Sequence, residues 1–364
     1  MDMTDYLTAD FWQGSAPVYL EGSGLPSPLG QVKGLPEGAV LFSSSGSSGV
    51  FKWIVHTRES LLASARMVNE ALEITESDCW GLLLPIYHVG GFGILARAYE
   101  RWQEEPEKLT SKLKIYEASW SPYEAVEFLA SQQVTITSLV PTQVHDLVSE
   151  GLSAPPSLRA IVVGGGQLSP ELGGAARALG WPVLQSYGMS EAGSQIATAC
   201  LGSLDEAYRC DRLEVLSGWT LQEDQQGRLL IEGRALCQGM VLQEDGSLRY
   251  LSIVSPFATQ DRVLLEEGTL TFLGRFDRVV KVKGELVDLD GLEQVLSREA
   301  QSRVVVLPEM DARDGVALRL VTTLREGHND LRRLIPRYVE VREVRVVSKI
   351  PTTALGKVDR RSLV

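Results

Sequence analysis

Residues 134–140 read VTITSLV, a β-branched run that stops at Pro141, and residues 158–163 form a second apolar run that ends in Gly164, Gly165 and Gly166. Such runs predict buried strands, because a pleated surface accommodates β-branched side chains and the breakers cannot continue it. The pattern recurs at residues 39–42 and 82–84 and begins again at Val183, with helical patterns between. Leu61, Leu62, Ala65, Val68 and Leu72 fall on one helix face, and Thr57 is placed to cap it. Strands alternating with helices predict layered α/β sheets.

From Cys210 the character changes. Residues 213–216, 228–231, 262–265 and 269–273 are short strand candidates separated by Gly or Asp turns, which predicts a small antiparallel β subdomain. Near Gly274 a third unit begins, with strand candidates at 303–307, 317–322 and 341–347 and helix candidates at 292–300 and 329–335. The expected division is a large unit over 1–274 and a small α+β unit over 275–364. At roughly 150 residues per domain, the 364 residues support two.

A net charge of −12 argues against sequence-independent nucleic-acid binding, which needs a basic face. The acidic first ten residues lack an apolar secretory core, and no apolar run reaches the roughly 18 residues a membrane span needs. Cys79, Cys200, Cys210 and Cys237 form no C-x-x-C pair, and the four histidines (His56, His88, His145, His328) form no H-E-x-x-H. The expectation is a cytoplasmic chain without a disulfide framework, structural zinc, nucleic-acid partner or membrane insertion.

Three segments could carry chemistry. Residues 43–49 read SSSGSSG; by composition they are a flexible linker, but their place between strand-like runs calls for a short ordered loop. Small residues leave backbone N–H groups free to close on phosphate oxygens, and Lys52 offers a counter-charge. The second segment, Gln185-Ser186-Tyr187-Gly188-Met189-Ser190-Glu191, is either an ordinary strand-to-loop turn or a ring face for adenine, a hydroxyl for phosphate and a carboxylate for Mg²⁺. The third, PTTALGK at 351–357, puts Lys357 on a glycine-hinged turn near the C-terminus.

Together with G-R-F-D at 274–277, these motifs stand in the order and spacing of adenylate-forming enzymes, the superfamily of acyl- and aryl-CoA synthetases, luciferases and peptide-synthetase adenylation domains, and the chain resembles them from about Leu41 onward. Residues 84–91 (LPIYHVGG) and 187–196 (YGMSEAGSQI) are most similar to the o-succinylbenzoate–CoA ligase group. The resemblance implies an N-terminal AMP-binding domain and a mobile C-terminal lid that turns about Asp277. It gives Ser44, Ser45, Gly46, Ser47, Ser48, Gly49, Lys52 and Ser190 to the ATP phosphates. Gly164, Gly165, Gly166, Ser186, Tyr187, Gly188, Asp261 and Arg275 fall to adenine and ribose, and Glu191 to Mg²⁺. By the same resemblance Lys357 would be the catalytic cation of adenylation, and Lys283 and Gly284 would serve the CoA step. His88, Ser194 and Gln195 fall to the acyl substrate, His88 also as a catalytic residue, though a loop or core histidine is its alternative. The implied ligands are ATP, Mg²⁺, CoA and a small carboxylic acid; the oligomeric state does not follow from the sequence, and a homodimer stays open. Another aryl or medium-chain acid, and a nucleotide-binding paralogue without ligase activity, stay open.

Departures accompany the resemblance. Phe51 and Trp53 flank Lys52 where the superfamily has proline and glycine. Leu289 and Gly291 stand for proline and glutamate, while Glu293 matches. Only 42 residues precede Ser43, so a reduced N-terminal subdomain is expected.

Overall fold

The computed structural model describes residues 3–21, 26–45, 51–244, 247–283, 285–311, 315–325, 328–353 and 358–363. It separates into two units: 1–222 with 230–257 and 265–271, and 223–229 with 258–264 and 272–364.

The first unit is built on parallel strands in the spatial order Leu113–Ile115, Trp80–Leu82, Ile136–Leu139, Ala160–Val163 and Val183–Met189. Every residue of Trp80–Leu82, Ile136–Leu139 and Ala160–Val163 is buried, as expected where helices cover both faces. One layer of core joins Val134, Leu139, Ile161, Val163 and Val183 to Leu147, Ala176 and Trp181. The Leu84 side chain is buried, yet the strand expected at 82–84 is Trp80–Leu82. The chain leaves the sheet after Leu82 because Pro85 lacks a donor and the backbone must turn into the helix Val89–Trp102. After Val183–Met189 the sheet continues antiparallel through Ser194–Thr198 and Leu213–Val215.

A second sheet of this unit pairs Ala39–Ser45 with Phe51–Thr57, and Phe51–Thr57 with Gly239–Glu244, which in turn pairs with Ser247–Ser252. Gly239–Glu244 and Ser247–Ser252, which are not among the strand candidates, complete a sheet begun two hundred residues earlier in the numbering, while the expected late strands join the sheet of the parallel strands. Trp53 shows why a large ring replaces glycine there: it is buried with Tyr19, Leu41, Val55 and Val241. Thr57 caps the helix Arg58–Ala71 by accepting the Ser60 N–H at 3.2 Å.

In the second unit a hairpin, Val279–Val282 with Glu285–Asp288, leads into the helix Leu289–Ala300 and a sheet of Val304–Asp311, Gly315–Thr322 and Val341–Val346. Asp288 caps that helix, taking the N–H groups of Asp290 and Gly291, and a side chain at Gly291 would stand 3.2 Å from its carboxylate. Leu289 is buried among Val287, Leu296, Val306 and Leu320. The helix expected at 329–335 is a tighter 3-10 segment, His328–Leu334, stopped by Pro336.

Candidate functional site

Ligands of open α/β sheets bind beyond the carboxyl ends of the parallel strands, and two predicted segments of the first unit lie there. Gly164, Gly165 and Gly166 follow Ala160–Val163, and Gly165 has φ +77°, a conformation glycine adopts without strain. The Gln185 amide staples this loop: Nε2 donates to the carbonyls of Val163, Gly166 and Ser186, while Oε1 accepts the Leu168 N–H at 2.8 Å. Ser186 Oγ donates to the Val163 carbonyl at 3.0 Å. Gly188 is the closest approach, since a Cβ there would lie 1.8 Å from the Ser194 carbonyl oxygen. Tyr187, half-buried between Ser186 and Gly188, is paired in register with Ala197.

Beyond Met189 the chain makes a 3-10 turn, Ser190–Ala192, closed by Gly193 at φ +67°. Two successive carbonyls of this turn are held from distant elements. His56 Nε2 lies 2.7 Å from the Ser190 oxygen, and the Cys237 N–H donates to the Glu191 oxygen at 2.8 Å. The Glu191 carboxylate takes the Lys52 ammonium at 2.7 Å. Lys52 stands opposite Ser44 in the hairpin of Ala39–Ser45 and Phe51–Thr57, and Ser45 opposite Phe51. The hairpin's connection, with Gly46, Ser47, Ser48 and Gly49, lies outside the described residues.

Ser194 meets a residue that the sequence did not single out. Arg97, on Val89–Trp102, is 1% exposed, and its Nη2 donates to Ser194 Oγ at 3.0 Å. Its guanidinium lies 5.4 Å from the Trp80 ring centroid, and Nε and Nη1 have no hydrogen-bond partner among the described residues. Burial pushes its pKa down to about 9. The Gln195 Nε2 is buried and equally without a partner, its Oε1 being taken by Thr198. A cation fixed in the interior without a carboxylate is a site that an anion would complete. The signal in the sequence was one arginine inside the apolar stretch 92–99. His88 caps the same helix with no side-chain cap bond, its ring 4.5 Å from that of Tyr87.

In the second unit, Arg275 bridges Asp261 at 3.1 Å and Asp277 at 2.8 Å. Both carboxylates push the guanidinium pKa upward, the Asp277 hydrogen bonds most. Thr259 fixes the Asp261 backbone, accepting its N–H at 3.1 Å. Lys283 is exposed at φ +49° in the turn of the 279–288 hairpin; Gly284 lies outside the described residues. So does Lys357, in a segment flanked by the Thr352–Val358 bridge. Glu293, the matching glutamate, holds Arg278 and Arg360.

These features belong to a class. Residues 31–241 match the AMP-binding enzyme family, and the chain is a member of it. Among curated relatives it is similar to the 2-succinylbenzoate–CoA ligase of Enterococcus faecalis, 26% identical over 341 residues that cover 88% of this chain and 68% of the relative. It is also 30% identical to that of Escherichia coli K12 over 276 residues, 75% of this chain and 55% of the relative. Among solved structures, an arginine-to-lysine variant of Escherichia coli MenE with bound OSB-AMS superposes with a TM-score of 0.70 at 25% identity, covering 89% of this chain and 67% of that one. The o-succinylbenzoate CoA synthetase of Bacillus subtilis with the acyl-adenylate OSB-AMP shares the fold, with a TM-score of 0.72 at 22% identity over 89% of this chain and 68% of that one.

Proposed function

We propose that the chain is an ATP-dependent acid–thiol ligase, which activates o-succinylbenzoate as an acyl-adenylate and passes the acyl group to CoA in menaquinone or phylloquinone synthesis. The observation that carries the substrate is Arg97. An acid with two carboxylates can be activated at one and held by the other, and a buried guanidinium beside Ser194, two of whose nitrogens have no partner among the described residues, suits the benzoate group. The named relatives act on that acid, which supports the same reading.

The chemistry is a problem of like charges. The succinyl carboxylate attacks the α-phosphorus of ATP, the bond from that phosphorus to the bridging oxygen breaks, and pyrophosphate leaves. Ser44, Ser45, the 46–49 loop and Lys52 would hold the departing phosphates, Ser190 the α-phosphate, and Lys357 would bridge carboxylate and phosphate. Glu191, a single carboxylate, fits a magnesium ion that would be held mainly by the phosphate oxygens of ATP. Bound there, Mg²⁺ would neutralise phosphate charge. A CoA thiolate then attacks the acyl carbonyl, and the bond to AMP breaks.

Residues 1–274 form the adenylating part in this reading, and 275–364 a lid that turns about Asp277 and brings Lys283 and Gly284 to the thioester step. Adenine rests with the 164–166 loop, Ser186, Tyr187 and Gly188, and the ribose with Asp261 and Arg275. His88 lies with the acyl group. A cytoplasmic setting, where ATP and CoA are both at hand, belongs to the same reading.

The test is acid-dependent pyrophosphate exchange across a panel of carboxylic acids, followed by CoA-dependent AMP release. Exchange with o-succinylbenzoate is expected; exchange with another acid alone overturns the substrate, and none with any acid overturns the ligase.

A further inference from the structure

We propose that His56 is a positioning residue, whose Nε2–H holds the Ser190 carbonyl and so sets the Ser190–Glu191 turn for Mg·ATP; this rests on the reading of those two residues as phosphate- and magnesium-facing.

His56 lies on Phe51–Thr57, is fully buried, and is bonded at both ring nitrogens. A carbonyl only accepts, so Nε2 carries the hydrogen toward Ser190. Burial pushes the ring's pKa down to about 4, so it is neutral near pH 7 and Nδ1 is an acceptor. Its partner is Ser60 Oγ at 3.0 Å, whose one hydrogen is divided between Nδ1 and the Thr57 carbonyl at 2.9 Å, while the same oxygen accepts the Thr57 N–H at 3.2 Å. The ring thus ties the cap of Arg58–Ala71 at Ser60 to the Ser190 carbonyl.

Packing removes the ring's remaining freedom. Phe42 meets it edge-on at 6.0 Å between centroids, and a Cβ at Gly193 would lie 3.4 Å from its Cε1, so the turn rests on the ring's edge. A three-residue 3-10 turn has little structure of its own. Its internal bond, Gly193 N–H to the Ser190 oxygen, is 3.2 Å long, against 2.7 Å for the contact from His56. The charged groups that face the ring's surroundings are Glu191 and its partner Lys52. Since Glu191 is already tied through Lys52 and Cys237, His56 is what fixes the serine end of the turn.

The test compares His56→Asn, which keeps a polar group at the Nδ1 position alone, with His56→Gln, whose amide reaches the place of Nε2. Mg·ATP affinity is measured calorimetrically without acid, and KM for ATP and for the acid by pyrophosphate exchange. The Asn variant should bind Mg·ATP about tenfold more weakly, the loss expected for a buried carbonyl left unpaired, with the acid KM unchanged. The Gln variant should stay within about threefold of the parent. Equal affinities in the two variants overturn the proposal. If the Asn variant does not fold, Ser60→Ala, which removes the donor to Nδ1, decides: unchanged Mg·ATP affinity overturns it. A parent chain that binds Mg·ATP but exchanges with no acid sinks the ligase reading and leaves this comparison decisive.

Discussion

The ammonium of Lys52 lies 2.7 Å from a carboxylate oxygen of Glu191, across 139 residues of chain, and both side chains are largely withdrawn from solvent. The pair joins the cation expected on phosphate to the carboxylate expected on magnesium. In the proposed reading each neutralises the other until Mg·ATP would offer both a better partner, the metal for the glutamate and phosphate oxygens for the lysine.

Lys52→Met should therefore do more to ATP than to the fold. A partly exposed ion pair contributes about 1 kcal/mol to stability, so the unfolding midpoint should move by only a few degrees. The KM for ATP should rise about tenfold or more as a charged phosphate contact is lost. Pyrophosphate exchange against ATP concentration reads this, and an unchanged KM refutes the phosphate role.

Asp261→Asn bears on the ribose. Asp261 is buried, steadied by Thr259 and bridged by Arg275. If its carboxylate accepts a ribose hydroxyl, the variant should raise the KM for ATP about tenfold. The parent should discriminate against 2′- or 3′-deoxy-ATP and the variant should not, because the contact is then already absent. Equal discrimination in both proteins removes the assignment.

What was legible from sequence was local. Thr57 capping its helix, the strand that runs into Gly164 and the passage from strand to turn at Ser190 and Glu191 each follow from residues within a few positions of one another. Burial at residues 82–84 was legible too, but periodicity reports burial and not pairing, so the strand was placed two residues late. His56 and Arg97 were not legible as site residues. Their partners, Ser190 and Ser194, stand 134 and 97 positions away, and only the stacking of the helix Val89–Trp102 and the strand Phe51–Thr57 against the 190–194 segment gives them a purpose. A lone histidine in an apolar strand has no pattern to betray it.

His56 also predicts a pH dependence. Its ring takes a proton at about 4 when folded, against an ordinary 6.5. Between those values the unfolded chain binds more protons, so stability rises with pH. The contribution is fully present above 6.5 and is lost as pH falls toward 4, amounting to about 3 kcal/mol. His56→Gln, which cannot titrate, should show a correspondingly flatter fall in urea-derived stability between pH 6.5 and 4. Parallel curves would mean that the ring is already protonated in the folded chain.

Arg97→Leu separates holding the acid from folding the protein. The guanidinium is buried with two nitrogens unpartnered among the described residues, so it costs the empty protein stability, and leucine should leave the unfolding midpoint equal or higher. The benzoate group would lose its counter-charge and at least two hydrogen bonds. The kcat/KM for o-succinylbenzoate should then fall at least about 100-fold. An analogue without the ring carboxylate never makes that contact, and its kcat/KM should change less than about threefold. Equal losses for the two acids would make Arg97 a general structural element of the acyl pocket, and a lower midpoint would place its role in the fold.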